Sequence, residues 1–259
     1  MTGTRAPAAR QPRSRREHRC QPARPYCRVC CSIRTAPQRQ TLSRSLIPAS
    51  RSPGAPPLVT LFLEPTVTPL FEDEDGAATM ATAASILSPA ECAAWIDWGE
   101  ATGFQLEKHA QTAYIAHRDN GRLAVQSDVV AKAIFDRLMQ AGLVPSTVGR
   151  LRPSGCNANI RLYKYGQGQR FGRHVDQSNR LSDGSSTEFT VLLYLNEGFR
   201  GGETVFYTSH FAATEAYRFS PSAGAVLVHA HGERCLTHEG SEVTQGVKYL
   251  LRTDLAYSR

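Results

Sequence analysis

From about Ser154 to the C terminus the sequence is cut into short apolar runs, too brief for helices and rich in β-branched and aromatic residues, which commits this part of the chain to strands. Six such runs, residues 159–165, 187–195, 204–207, 216–219, 225–231 and 248–257, are separated by Gly, Pro, Asn or Ser. Upstream the pattern is helical. Ser88-Pro89-Ala90-Glu91 is a capping box with Pro at the first helical position, followed by Cys92, Ala93, Ile96 and Trp98 in an apolar-rich stretch that ends near Gly103. A second helix is expected from about Asp128 to Met139, where Val129, Val130, Ala133, Ile134 and Leu138 recur on one stripe and Gly142 can close the last turn. Between the two, Asp119-Asn120-Gly121 reads as a turn. Two helices followed by six or more strands predict an α+β fold: a double-stranded β-helix, or jelly roll, with flanking helices.

The N-terminal part follows neither period. Residues 1–57 hold 9 of the 15 prolines among Arg, Ser, Gln and Ala, and such a chain cannot offset its conformational entropy by burial. Of the net charge of +7, residues 1–63 contribute +11, from 12 Arg, no Lys and the single acid Glu17, which leaves −4 for residues 64–259. The basic character therefore belongs to the tail, and the part able to bury a core carries no charge signature of a nucleic-acid or membrane surface. The longest near-continuous apolar run, residues 58–63, is far short of the roughly 20 residues that span a bilayer. The expected organisation is an Arg/Pro/Ser-rich extension over 1–79 and one folded domain over 80–259, with Met80 as a possible alternative start. The extension has the composition of a plastid or mitochondrial transit peptide, or of a plain disordered segment, on a soluble intracellular protein. Cys20, Cys27, Cys30 and Cys31 lie in it, but Cys27-x-x-Cys30 with His18 lacks a second ligand pair and is not read as a zinc site. Cys92, Cys156 and Cys235 are widely spaced and odd in number, so no disulfide framework is expected.

The chemistry concentrates in Tyr165-Gly-Gln-Gly-Gln-Arg-Phe171-Gly-Arg-His174-Val-Asp176. Residues two apart on a strand share a face, so His174 and Asp176 can bring an imidazole and a carboxylate to one point. A third ligand from a distant strand completes the two-His, one-carboxylate set that leaves open positions on Fe(II). His229, His231 and His238 are the candidates, the first two sharing one face of the run 225–231 and readable as core histidines. His117-Arg118-Asp119 repeats the His-x-Asp pattern but runs into Asn120-Gly121, and is read as a surface turn.

Over about residues 86–257 the chain resembles the Fe(II)- and 2-oxoglutarate-dependent dioxygenases, and within them the prolyl 4-hydroxylase-like group. The matching text is Tyr165-x-x-Gly168-Gln169-x-Phe171-x-x-His174-x-Asp176, then Thr190-Val-Leu-Leu-Tyr194-Leu-Asn196, Gly201-Gly202-Glu203-Thr204-x-Phe206, Pro221-x-x-Gly224, and His238-Glu-Gly240 through Gly246-x-Lys248-Tyr249. In that family the distal His precedes a basic co-substrate anchor by ten residues. His238 to Lys248 has this spacing, whereas ten beyond His231 is Ser241 and ten beyond His229 is Glu239. The resemblance therefore implies His174, Asp176 and His238 as metal ligands and catalytic centre, Lys248 as the cation for the distal carboxylate of 2-oxoglutarate, and Tyr165 and Tyr194 as hydroxyls beside it. Arg252, four residues beyond Lys248 on the same face, is the rival anchor, and Gly201-Gly202 is expected to form a hairpin turn.

The implied activity is hydroxylation of an unactivated C–H bond, using Fe(II), 2-oxoglutarate and O2, with release of succinate and CO2 and with ascorbate as a helper reductant. The expected substrate is a prolyl residue of a peptide or protein. The segments 105–125 and 177–186 are expected to flank the mouth as loops, the second as a flexible lid, and neither shows an aromatic cradle or basic groove for nucleic acid. The other readings are a dioxygenase of small molecules or nucleobases, an inactive metal-binding jelly roll, and a tail that binds RNA or acidic partners by charge.

Overall fold

A computed structural model of the chain describes residues 67–72, 78–112, 115–209 and 214–259. In chain order these form β1 (Val67–Glu72), β2 (Ala78–Ala83), α1 (Pro89–Thr102), β3 (Gln105–His109), β4 (Arg118–Gln126), α2 (Asp128–Gln140), β5 (Arg152–Cys156), β6 (Asn159–Tyr165), β7 (Phe171–His174), β8 (Ser186–Tyr194), β9 (Arg200–Gly201), β10 (Thr204–Tyr207), β11 (Glu215–Phe219), β12 (Val226–Ala230), β13 (His238–Gly240), β14 (Val243–Gln245) and β15 (Lys248–Ser258). Thirteen strands join one antiparallel sheet in the order β1-β2-β12-β8-β15-β6-β4-β7-β13-β10-β11, with β3 beside β4 and β5 beside β15, while β9 and β14 pair separately. The sheet curls into the expected jelly roll with two α-helices against it. Among the described residues no helix is long and apolar enough to cross a membrane.

The two-residue period of the strands sorts side chains into two cores. Ile160 and Leu162 of β6, Phe189, Val191 and Leu193 of β8, Val226 and Val228 of β12 and Leu251 and Leu255 of β15 join the helix-side core with Trp95, Ile134 and Leu138. The alternate positions, Tyr163, Tyr165, Tyr194, Leu227 and Leu250, form a second cluster inside the roll with Met80 and Phe206. Every functional strand residue discussed below projects from this inner set.

Both helices start and stop where the sequence places them. Ser88 caps α1, its hydroxyl accepting from Glu91 N–H while the Glu91 carboxylate accepts from Ser88 N–H. Gly142, at φ +70°, closes α2 with paired bonds from Gly142 N–H to Met139 and from Leu143 N–H to Leu138. The buried residues of α1 are Glu91, Cys92, Trp95 and Gly99; on α2 Val130, Ile134 and Leu138 of the expected stripe are buried with Ala131, whereas Val129 is 81% exposed. Gly99 allows this packing, since a Cβ there would lie 2.5 Å from Leu162 Cδ2. Arg137 ties the helices by bonding both oxygens of buried Glu91, at 2.7 and 3.1 Å, and the Ile86 carbonyl. Burial pushes the Glu91 carboxyl up, but Arg137 and Ser88 together hold it below its usual range. Arg137→Ala leaves this carboxylate without its cation and is expected to destabilise the protein by about 3–5 kcal/mol in urea unfolding; a loss under about 1 kcal/mol would contradict the role given to the pair.

Three expectations are corrected here. Asp119-Asn120-Gly121 is not a turn: it lies within β4, between β3 and β6, with Asn120 buried. Gly121 is there for close approach, its missing Cβ leaving room for the Phe104 Cβ 3.0 Å away. Consequently 105–109 and 118–125, most of the segment read as a loop, are strands β3 and β4. The sheet also begins before residue 80, because β1 pairs β2 and β2 pairs β12, burying Met80 mid-strand. Finally, 177–186 is a cross-bonded loop rather than a loose lid: Asn179 and Thr187 exchange two bonds, Leu181 N–H donates to Ser185, and Asp183 accepts from Ser185 twice. The readings of the tail, including its disorder, targeting role and four cysteines, lie outside the described residues. Cys92, Cys156 and Cys235 are free thiols.

Candidate metal centre

Strands β7 and β13 run antiparallel with His174 directly opposite His238, which sets the two rings 4.2 Å apart. Each ring is fixed in the same way. His174 Nδ1–H donates to the Gly172 carbonyl at 2.8 Å and His238 Nδ1–H to the Leu236 carbonyl at 2.9 Å, so both keep the Nε2 lone pair free. Phe171 stacks on His174 at 3.7 Å and Phe206 on His238 at 5.2 Å. The chain leaves β7 and delivers Asp176, with Oδ1 3.7 Å from His174 Nε2 and Oδ2 3.8 Å from His238 Nε2. One donor atom from each of the three lies within 4.8 Å of the others.

The electrostatics suit a cation. Burial pushes His174 down to about 3, with His238 adding to the effect, and burial likewise lowers His238. Burial opposes ionisation of Asp176, but Arg252 and the surrounding histidines hold its carboxyl well below the usual range. Two neutral imidazoles and a carboxylate with an oxygen to spare fit a divalent metal ion of the iron type.

Arg252 is not a co-substrate anchor. Its Nη2 bonds Asp176 Oδ2 at 3.0 Å and Thr190 Oγ1 at 3.1 Å, while Thr190 donates to the same Oδ2 at 2.6 Å. Thr190 and Arg252 occupy inner positions of β8 and β15, and together they orient the carboxylate. Arg252→Ala is expected to weaken Fe(II) binding by about 10–100-fold, read by anaerobic iron titration; unchanged affinity would remove Arg252 from the site. The role of Thr190 was not read from the sequence, although the inward alternation Thr190-x-Leu192-x-Tyr194 carried the signal.

Of the other histidines, His117 stays outside the described donor groups and meets β7 through its carbonyl, which accepts from Gly172 N–H at 2.7 Å. His231 is the core residue expected, its Nδ1–H donating to the Thr187 carbonyl (3.0 Å) and its Nε2 lying 2.8 Å from Thr190 Oγ1. His229 is not satisfied. It is buried with no partner for Nε2, which lies 3.7 Å from Asp176 Oδ2.

These groups open onto a pocket lined also by Tyr165, Leu192, Thr204, Ser241 and Lys248. Lys248 pairs with Tyr165 across β15 and β6 and is 3% exposed. Its Nζ donates to the Gly202 carbonyl and sits 5.7 and 5.3 Å from the rings of Tyr165 and Tyr194. Among the described residues no carboxylate pairs with it, and burial pulls it down to about 7 against a weak upward pull from Glu203. Gly202 therefore seats the lysine: its φ is +72°, and a Cβ there would meet Lys248 Cδ at 3.3 Å. Sequence reasoning gave Gly201-Gly202 a turn and missed this contact. Tyr165 lines the pocket as expected, whereas Tyr194 stands behind it, its hydroxyl 2.6 Å from Thr204 Oγ1.

Residues 160–253 match the family model of the 2OG-Fe(II) oxygenase superfamily. No curated protein sequence matches the chain. A prolyl hydroxylase from Trichoplax adhaerens, solved with a hypoxia inducible factor oxygen degradation domain peptide fragment, shares the fold at TM-score 0.51 and 16% identity, over 68% of this chain and 83% of that one. A viral collagen prolyl hydroxylase from Paramecium Bursaria Chlorella virus-1 aligns at TM-score 0.46 and 18% identity, over 69% and 96% of the two chains. A Pseudomonas putida prolyl-4-hydroxylase aligns at 0.47 and 19%, over 68% and 91%.

Proposed function

We propose that this Fe(II)- and 2-oxoglutarate-dependent dioxygenase, whose residues 160–253 carry the 2OG-Fe(II) oxygenase domain, hydroxylates a prolyl residue of a peptide or protein. Substrate C–H, O2 and 2-oxoglutarate yield C–OH, succinate and CO2. The observation that carries this reading is Lys248: a buried ammonium without a carboxylate partner, in the same pocket as the His174–Asp176–His238 donor set. A dicarboxylate whose keto-acid end reaches the metal and whose far carboxylate reaches Lys248 satisfies both ends of the pocket.

His174, Asp176 and His238 hold the iron, which when bound supplies the O2-activating chemistry. Lys248 Nζ, kept in place by the Gly202 carbonyl, binds the far carboxylate of 2-oxoglutarate. Tyr165 closes one wall around that carboxylate, and Tyr194 holds the Thr204 hydroxyl towards it. Arg252 and Thr190 keep Asp176 ionised and oriented, and Leu192, Leu250 and Phe171 exclude water from the reacting end. Ascorbate is the reductant proposed to sustain turnover. The peptide preference is supported by the fold shared with the Trichoplax enzyme, whose complex holds a peptide.

The test is substrate-coupled succinate release from the full chain with iron and 2-oxoglutarate, offering a proline-rich peptide, a proline-free peptide and a single-stranded oligonucleotide. Stimulation by the proline-rich peptide alone is the expected result. Stimulation by the oligonucleotide, or equally by both peptides, would contradict the prolyl assignment while leaving the dioxygenase intact.

A further inference from the structure

The unsatisfied His229 has a second neighbour. Cys235 Sγ lies 3.9 Å from His229 Nδ1 and 3.8 Å from His238 Nδ1, and one donor atom from each of the three falls within 4.8 Å of the others. All three are buried, and the two rings meet edge to face with centroids 4.4 Å apart. In tetrahedral zinc sites, sulfur at about 2.3 Å and nitrogen at about 2.1 Å from the ion stand about 3.6 Å from each other. The two S···N separations thus need to contract by only a few tenths of an ångström. Cys235-Leu236-Thr237-His238 has the two-residue ligand spacing common in zinc sites, and Cys235 is placed by its N–H bond to the Gly232 carbonyl, at the end of the short 3-10 turn Gly232–Arg234.

We propose that Cys235, His229 and His238 form a second metal position that takes Zn(II), and that its occupation excludes iron from the His174–Asp176–His238 set. The donor types decide the ion: a thiolate with two imidazoles favours zinc over Fe(II), for which oxygen and imidazole donors suffice. The exclusion follows from the shared ring. A neutral imidazole has one N–H and one lone pair, so when His238 gives the Nδ1 lone pair to zinc its Nδ1–H bond to the Leu236 carbonyl breaks, the proton moves to Nε2, and Nε2 can no longer ligate iron. His229 ligating through Nδ1 likewise gives up its 3.4 Å contact with the Ala230 carbonyl and carries its proton on Nε2, which then faces the Asp176 Oδ2 acceptor 3.7 Å away. Binding breaks the Cys235 S–H bond, forms the zinc–sulfur bond and releases one proton to solvent. Zinc is thereby an off-switch built beside the iron centre. The exclusion of iron rests on the function proposed above, whereas zinc binding itself does not.

The test uses the full chain carrying Cys20→Ser, Cys27→Ser, Cys30→Ser and Cys31→Ser, so that tail thiols do not contribute. Co(II) alone is expected to give a near-ultraviolet thiolate charge-transfer band that Zn(II) erases. Adding Cys235→Ser should abolish that band and weaken Zn(II) binding, measured against a chromophoric chelator, by at least about tenfold; His229→Phe should weaken it comparably and serves if the serine variant does not fold. In Cys235→Ser the visible band of the iron and 2-oxoglutarate complex should survive but need at least about tenfold more Zn(II) to be erased. No thiolate band in the parent, or equal zinc affinity in parent and variants, overturns the proposal. A thiolate band without any iron and 2-oxoglutarate band would leave the zinc position standing and remove the dioxygenase assignment instead.

Discussion

Asp176→Ala is expected to abolish 2-oxoglutarate turnover and to weaken Fe(II) binding by more than about 100-fold, the upper end of what loss of an outer hydrogen-bond partner costs. The carboxylate is the only anionic member of the donor set, and its Oδ2 gathers Thr190 and Arg252. Removing it also strands the Arg252 guanidinium in a buried position, so a stability loss of about 3–5 kcal/mol accompanies the loss of metal, reduced where Arg252 falls back on Asp254, 3.4 Å from Nε. Asp176→Asn separates the two effects. It keeps the shape and the Thr190 contact but not the charge, and should lose iron as Asp176→Ala does. Turnover retained in either variant, measured as succinate release, would show that the metal sits elsewhere.

Lys248→Met has two expected effects of opposite sign. Co-substrate affinity should fall by about 100-fold or more, since truncating one partner of a buried charge pair costs 2–5 kcal/mol or more. The protein without ligand should become more stable by several kcal/mol below pH 7, because burial holds Lys248 at about 7 in the folded chain against 10.5 unfolded and each tenfold change in a proton equilibrium is about 1.4 kcal/mol. The sign is fixed by proton count. Between about pH 7 and 10.5 the unfolded chain holds more protons at this site, so the parent gains stability as pH rises through that window, and Lys248→Met should flatten the rise. Binding of 2-oxoglutarate needs the ammonium and must take up a proton above pH 7, so parent affinity should fall about tenfold per pH unit there. Calorimetric titrations at several pH values, beside thermal unfolding of the unliganded protein, read both effects. A Lys248→Met protein that binds 2-oxoglutarate like the parent would return the anchor role to another cation.

The jelly roll was legible because its long strands are buried on two unlike faces. In 187–195 and 248–257 the helix-facing positions are mainly apolar, with Phe189, Val191, Leu193, Leu251 and Leu255, while the alternate ones carry Thr190, Tyr194, Lys248 and Arg252, so the sequence marks both the strands and the inward side. The missed strands lacked that signal. β4 contains Asp-Asn-Gly, whose glycine serves packing against Phe104 rather than a turn, and β7, the strand on which the His-x-Asp reading placed His174, is only four residues long and ends before Asp176. His174, Asp176 and His238 were readable from spacing and resemblance, and the cross-strand pairing of His174 with His238 accounts for that spacing in space. Which buried polar atoms are satisfied was not readable. His229 and His231 look alike in the sequence, yet His231 has a polar neighbour at each nitrogen and His229 leaves Nε2 without a partner. Arg252 likewise carried two possible anions, and only the tertiary placement of Asp176 against its guanidinium decides between them.

The measurement that bears most directly on this account is an anaerobic titration of the full chain with Fe(II) and then 2-oxoglutarate, followed by visible absorption, with His238→Ala and Lys248→Ala alongside. The account predicts a metal-to-ligand charge-transfer band in the parent, absent in His238→Ala, and displaced to much higher 2-oxoglutarate concentrations in Lys248→Ala. A folded parent that gives no band, or a His238→Ala protein that gives the same band, would contradict the assignment of this pocket as the iron and 2-oxoglutarate site.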